Sequence, residues 1–387
     1  MRFIHSAEQQ LIRESARSFL AEHASPARVR AAMSQPGGYD GQLWQVLSGE
    51  LGWTGLAIAE EYGGAGLGWV ELCILQEEQG RRLAASPFFG TVALAAPLIA
   101  ATGTPAQRHS LVGRIAAGSV RIACALGGSD GRPPCAGVAV QRETCGDGFS
   151  LSGHSDFVIH ADSADLLLVL TRAKAERGAG SLAVAVLPAR SSGITIEPHV
   201  MLDLTRPMSR ISFDDVRVER EQLLGEQDSA EAGIERALNL ARIALASEAL
   251  GGAEQVLEMT SAYARERVQF GRPIGSFQAI KHRLADMMIA VEAAKSAAWY
   301  AACVADEGSE ELAEAAAIAK SCCCDAFFDC AANAIQLHGG IGFTWEHDVH
   351  LYFKRARALA TLLGSPAWLR ERLARLIASG AAPTPVF

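Results

Sequence analysis

The spacing of apolar positions changes character twice along the 387-residue chain. Up to about residue 117 it predicts helices. Ser6 to Gln9 fits a capping box ahead of an amphipathic run, since the Ser hydroxyl and the Gln amide can satisfy free N–H groups. Thr104 to Gln107 fits a second, with Pro105 at the first helical position and Gly118 as the stop. Between about 119 and 225 the apolar runs shorten to VRIACAL, ADLLLVLT and SLAVAVLP, set between Gly, Pro, Ser and Asp clusters. That pattern predicts strands joined by turns. From about 228 to 379 the chain is Ala/Leu-rich and helical again, and GAAPTPVF reads as a tail. No repeat of fixed period is present.

Composition narrows the classes. Hydrophobic residues make up 49% of the chain, enough for a large core in two or three domains. The net charge is −8 and there is no Lys/Arg run, which argues against nucleic acid as a partner. No apolar stretch reaches the roughly 18–20 residues of a membrane span, and the N-terminal MRFIHSAEQQL lacks an apolar signal core. A cytoplasmic protein is expected. Nine cysteines raise a disulfide or metal reading. Their spacing answers it: no CxxC occurs, and Cys322, Cys323 and Cys324 are adjacent on a helical pattern and point apart. Small, buried, reduced thiols and no metal are expected.

Two segments carry the chemistry. Residues 263–286, YARERVQFGRPIGSFQAIKHRLAD, end one helix, turn through Gly271, Pro273 and Gly275, and start another. Residues 336–344, QLHGGIGFT, place Gln336 and His338 just before a Gly pair. An arginine at a helix end beside such a turn can pair with a diphosphate, and backbone bared at Gly339 and Gly340 lets a ligand approach closely. The bland readings are a solvated Arg267 and a plain helix C-cap.

Together with GLAIAEEYGGAGLG (55–68), GHSDFVIHADSADLLLV (153–169) and RISFDDVRVEREQLLGE (210–226), these segments resemble the acyl-CoA dehydrogenase family of flavoproteins over nearly the whole chain. The resemblance implies an N-terminal α-helical domain (1–118), a middle β-domain (119–227) and a C-terminal four-helix-bundle-like α domain (228–387). It implies FAD, held in extended form at a subunit interface. Arg267 matches the pyrophosphate-binding arginine. Gln269 and Phe270 match residues flanking the diphosphate and adenine, and Gln278 follows in the turn that closes over the cofactor. Gln336, Gly339 and Gly340 match the stretch that meets the dinucleotide from the partner subunit. Phe157 falls where the family places an aromatic residue against the flavin ring, with a core phenylalanine as the alternative. Lys281 and His282 read as packing or solvated residues.

The departures concern catalysis. The family reaction needs a carboxylate at the substrate α-carbon, opposite the flavin. Aligned from Gln336, the usual glutamate falls on Leu363, with Gly364 and Ser365 matching the Gly-Thr that follows it. The alternative base position on the long preceding helix falls on Ala241, beside a matching Arg242. Glu248 lies seven residues on (248 − 241), on the same face about 10 Å along the axis. It is a candidate displaced base, with an interface glutamate as the plainer reading. The stretch 125–130 reads ALGGSD without the family's Thr-Glu-Pro, and the flavin-facing hydroxyl position holds Ile159. Asp203, Thr205 and Arg206 resemble the DxTR pattern of a bacterial subgroup, as does LLGSPAWLRERLARL (362–376). In that subgroup two related chains often assemble as an α2β2 heterotetramer in which one chain carries the base and the other completes the FAD sites, and some members act on steroid side-chain CoA esters.

Three readings follow. The chain is an acyl-CoA dehydrogenase subunit that contributes FAD contacts; or it is the structural partner of a catalytic paralogue; or it is a homo-oligomeric flavoenzyme of other chemistry on this fold. The residues favour the partner role within a complex. The nucleic-acid-binding branch of the family fits least, since the chain is acidic and lacks an added basic C-terminal domain.

Overall fold

The computed structural model describes residues 4–128, 133–174, 180–225 and 230–378. The tail 380–387, and Ser129, Asp130 and Glu226 of the motifs, lie outside the described residues. By internal contacts the chain forms two compact units, one of residues 1–29, 69–84 and 242–387, the other of residues 30–68 and 85–241.

Local signals explain how the elements begin and end. Helix α1 (Ala7–His23) starts at Ser6, whose hydroxyl accepts from the Gln9 N–H at 3.1 Å while the Gln9 side chain accepts from the Ser6 N–H at 2.9 Å. Helices α2 (Pro26–Met33), α3 (Gly41–Gln45), α4 (Trp69–Arg82), α5 (Ala96–Thr102) and α6 (Pro105–Ala116) follow. Thr104 and Gln107 cap α6 reciprocally, and Gly118 ends it with φ of 65°. The GLAIAEEYGGAGLG stretch is a compact loop rather than helix. Its chain folds back so that Ala65 N–H reaches the Gly55 carbonyl at 2.9 Å. A Cβ on Gly64 would lie 2.0 Å from the Ile58 carbonyl oxygen, so only glycine fits there.

The second unit holds the sheet. Its strands are β1 (Ile122–Ala125), β2 (Gln141–Cys145), β3 (Gly148–Ile159), β4 (Leu166–Ala173), β5 (Leu182–Pro188), β6 (Ile194–Pro198), β7 (Met208–Val218) and β8 (Leu223–Leu224). They run in the order β6-β7-β3-β2-β4-β5-β8, with β1 parallel to β4. The three apolar runs picked from the sequence are β1, β4 and β5. Leu167, Val169, Ala183 and Ala185 on them are fully buried, with Leu151 and Ile211 of the neighbouring β3 and β7. The β3–β7 ladder slips between Ser155 and Val158, and the slip turns Phe157 out of the regular alternation.

The first unit is a helical bundle. Its long members are α7 (Ala230–Glu266, whose first turns belong to the second unit), α8 (Gln278–Glu307) and α9 (Leu312–His338). Helices α10 (Val349–Thr361) and α11 (Pro366–Ala378) pack on α9, as does α8. Helices α4 and α7 approach until backbones touch: a Cβ on Gly251 would lie 1.8 Å from the Glu77 carbonyl oxygen. Six of the nine cysteines are buried, as expected, but three are not. Cys145 sits at the exposed tip of the β2–β3 hairpin, and Cys322 lies on the outer face of α9 while Cys323 and Cys324 turn inward. Cys135 is half-buried.

Candidate active site

Helix α7 ends at Glu266, and Arg267 extends its last turn by donating its N–H to the Tyr263 carbonyl at 2.8 Å. A small hairpin follows, which periodicity did not reveal: β9 (Val268–Gln269) pairs with β10 (Arg272–Pro273). Its two turn residues, Phe270 and Gly271, have φ of 55° and 78°, the left-handed pair that a tight type I′ turn requires. The turn holds Phe270 90% exposed. The Arg272 guanidinium covers the Phe277 ring at 4.1 Å, whereas the exposed Arg267 guanidinium has no partner among the described residues. Gln269 is exposed, and its side-chain amide donates to the neighbouring Val268 carbonyl, 2.9 Å away. Gln278 opens α8 and is exposed, as are Lys281 and His282 on its first turn.

The second segment lies at the end of α9. Gly339 has φ 64° and ψ −142°, a region closed to other residues. A Cβ on Gly339 or Gly340 would meet nothing within 4 Å, so both backbones are open, and Gln336 beside them is exposed. His338 is buried and stacks on Tyr263, ring centroids 4.3 Å apart. Its Nδ1–H donates to the Ala334 carbonyl at 2.7 Å, and burial pushes its pKa down, so the ring is neutral. The Tyr263 hydroxyl reaches the His338 carbonyl at 3.4 Å. This pair brings the two segments, remote in sequence, to one end of the first unit. Val268, Ile341, Phe343 and Trp345 are exposed there as well.

In the second unit Phe157 is 49% exposed with φ of 57°, so it is not a core phenylalanine. Its ring stacks on His199 at 5.1 Å, and His199 Nε2 lies 3.0 Å from Asp156 Oδ1. Arg210 grips both Asp156 oxygens at 2.8 and 2.9 Å, which with His199 holds that carboxyl below its ordinary pKa. Ile159 is buried at the hydroxyl position. Asp203 accepts from the Thr205 N–H and hydroxyl at 2.9 and 2.5 Å, a local turn that sets Arg206 over the Phe89 ring at 5.4 Å.

Leu363 lies between α10 and α11 with φ of 55°, strained for a branched residue. Two buried cations hold it there. Arg242 Nε donates to the Leu363 carbonyl at 3.0 Å. Lys320 Nζ donates to the Gly364 carbonyl at 2.7 Å and to that of Ala360 at 3.2 Å. Burial pushes the Lys320 pKa down. Ala241 is fully buried and carries no proton-accepting group. Glu248 is 3% exposed and bonded to Arg355 Nη1 at 2.8 Å, Arg355 being buried as well. Sequence reading passed over Lys320, Arg355 and the Asp156–His199–Arg210 cluster. The signal for Lys320 was a lone charge within AAAIAKSCCC, where a solvated face would not place one.

A three-part helix–sheet–helix chain with an arginine, a Gly pair and exposed aromatic residues at one bundle end has the construction of a flavin-dependent acyl-CoA dehydrogenase. Comparison with known proteins bears this out. Residues 6–119 match the model of the acyl-CoA dehydrogenase N-terminal domain, and residues 232–378 that of the C-terminal domain. Acyl-CoA dehydrogenase IpdE2 of Mycobacterium tuberculosis is 37% identical over 95% of this chain and 96% of its own. A variant of the Tcur3481-Tcur3483 steroid ACAD is 33% identical with a TM-score of 0.85, over 97% of this chain and 99% of that one. A chain of the ChsE4-ChsE5 complex of Mycobacterium tuberculosis is 27% identical with a TM-score of 0.88, over 100% of both chains. The chain belongs to the acyl-CoA dehydrogenase family, FAD-binding oxidoreductases that act on the CH–CH bond of acyl-CoA thioesters. No described helix is long and apolar enough to cross a membrane.

Proposed function

We propose that this chain is an acyl-CoA dehydrogenase subunit that supplies FAD contacts and lacks a catalytic base of its own. The observation that carries the reading is Leu363. The loop keeps a strained backbone, anchored by Arg242 and Lys320, at the point where the family places its glutamate, and the side chain there cannot take a proton. Glu248 does not replace it in this reading, because its carboxylate is committed to Arg355 in a buried pair. The residues present fit the cofactor. An exposed guanidinium with no partner among the described residues suits a diphosphate, the open Gly339–Gly340 backbone admits close approach, and half-exposed Phe157 offers a ring face. Bound FAD supplies the hydride acceptor.

The base then comes from elsewhere in an assembly, and we propose an α2β2 heterotetramer with a paralogous chain as its source. The two-chain names of the steroid ACAD and of the ChsE4-ChsE5 complex support that arrangement, and so do the exposed Phe270, Phe343 and Trp345 at the cofactor end. A steroid side-chain CoA ester is the substrate class this proposal favours. Anaerobic mixing with such an ester tests it. The chain alone should leave its flavin oxidised, and the chain co-purified with its paralogue should bleach. Rapid bleaching by the chain alone would overturn the reading.

A further inference from the structure

Among α1, α4, α7 and α8 of the first unit lies a cavity of about 410 Å³, within the ~300–1,000 Å³ typical of small-molecule pockets. Val70, Ile74, Leu250 and Ala302 give it apolar walls, and His5, Arg13 and Lys295 enter its lining. It lies away from Gln278, a matched cofactor residue of the same unit. Lys295 follows Gln278 on the same helix by 17 residues (295 − 278), about 26 Å along the axis.

The donors in this cavity are not all used. Arg13 bonds Glu77 through both terminal nitrogens, and its Nη2 also lies 2.8 Å from His5 Nε2. A guanidinium only donates, so His5 Nε2 accepts and the ring proton sits on Nδ1. Burial, and then the Arg13 and Lys295 charges, push the His5 pKa down to about 4, so the ring stays neutral at pH 7. His5 Nδ1 and Arg13 Nε are both buried without a partner among the described residues. Buried donors without an acceptor are unfavourable, and here two share one cavity. Lys295, whose Nζ lies 3.8 Å from Glu254 Oε1, adds a positive charge at the rim, and Glu77 is bonded by Arg13.

We propose that this cavity is a binding site for a small amphipathic carboxylate, its oxygens on His5 Nδ1–H and Arg13 Nε–H and its tail along Val70, Ile74, Leu250 and Ala302. Such a ligand would tie α1 to α4, α7 and α8. Calorimetric titration of the FAD-loaded protein with decanoate tests it, with decanol as the uncharged counterpart. One saturable decanoate site per chain is expected, binding at least 10-fold tighter than decanol and raising the thermal midpoint. His5→Phe keeps a ring against Trp299, which it meets edge-on at 4.0 Å, and should weaken decanoate at least 10-fold. Lys295→Met, on a half-exposed side chain, should also weaken it, and Ala302→Phe should fill the cavity and abolish binding. No saturable binding, equal affinity for decanol, or binding unchanged in Ala302→Phe would overturn the proposal.

Discussion

Replacing Glu248 separates a structural carboxylate from a catalytic one. Glu248 on α7 and Arg355 on α10 are both almost fully buried, with Nη1 2.8 Å from Oε1. Glu248→Leu removes the carboxylate bonded to a guanidinium at 2% exposure. Breaking one side of such a pair costs about 3–5 kcal/mol, roughly 150- to 5,000-fold in the folded-to-unfolded ratio. With a urea slope of about 3 kcal/mol/M, the midpoint should fall by about 1–1.7 M. Adding Arg355→Met removes the second charge and leaves apolar groups of similar volume, so the double variant should recover most of that loss. The milder Glu248→Gln should leave turnover by the assembled complex nearly unchanged. If Glu248→Gln instead lowers turnover about 10²–10⁴-fold, as loss of a general base does, with the urea midpoint unmoved, then Glu248 is the base and the pairing argument fails.

Further outcomes follow from the same geometry. Arg267→Ala should purify with much less FAD, since a charge-assisted hydrogen bond to a diphosphate is worth about 1.5–3 kcal/mol; equal flavin content would remove Arg267 from the site. Light scattering should find no flavin-loaded monomer, given Phe270 at 90% and Phe343 at 81% exposure; a monomer with full flavin occupancy would refute that. The folded pKa of His5, about 4, lies below its ordinary 6.5. The unfolded chain therefore binds more protons in that window, and His5 makes stability fall as pH drops from 6.5 towards 4. His5→Phe should flatten this part of the stability–pH curve, and an unaltered slope would show that His5 does not contribute to it.

The order of helices, strands and helices was legible because each class has its own spacing and its own stop signals. Ser6, Thr104 and Gly118 mark helix ends through hydrogen bonds to their near neighbours, so the chain text contains all that decides them. Arg267 and the Gly pair were legible as motifs, but their meeting was not. It depends on Tyr263 stacking against His338, 75 residues away (338 − 263), and no local pattern encodes that contact. The hairpin at 268–273 was missed because its two-residue strands carry no periodicity. Glu248 looked like an interface carboxylate on a helix face until α10 placed Arg355 against it. Lys320 was hidden for the opposite reason: its partners are backbone carbonyls of Ala360 and Gly364, which no side-chain pattern announces.

We propose that one missing carboxylate, at Leu363, separates this chain from a self-sufficient dehydrogenase. Leu363→Glu tests it most directly. The glutamate would enter beside Arg242, whose Nε already binds the Leu363 carbonyl at 3.0 Å, on a loop Lys320 holds in place. Anaerobic single-turnover reduction of bound flavin by an acyl-CoA should become about 10²–10⁴-fold faster in the variant than in the parent chain. No gain in rate from a variant with parental flavin content, or a parent chain that already reduces its flavin that fast, would contradict the account.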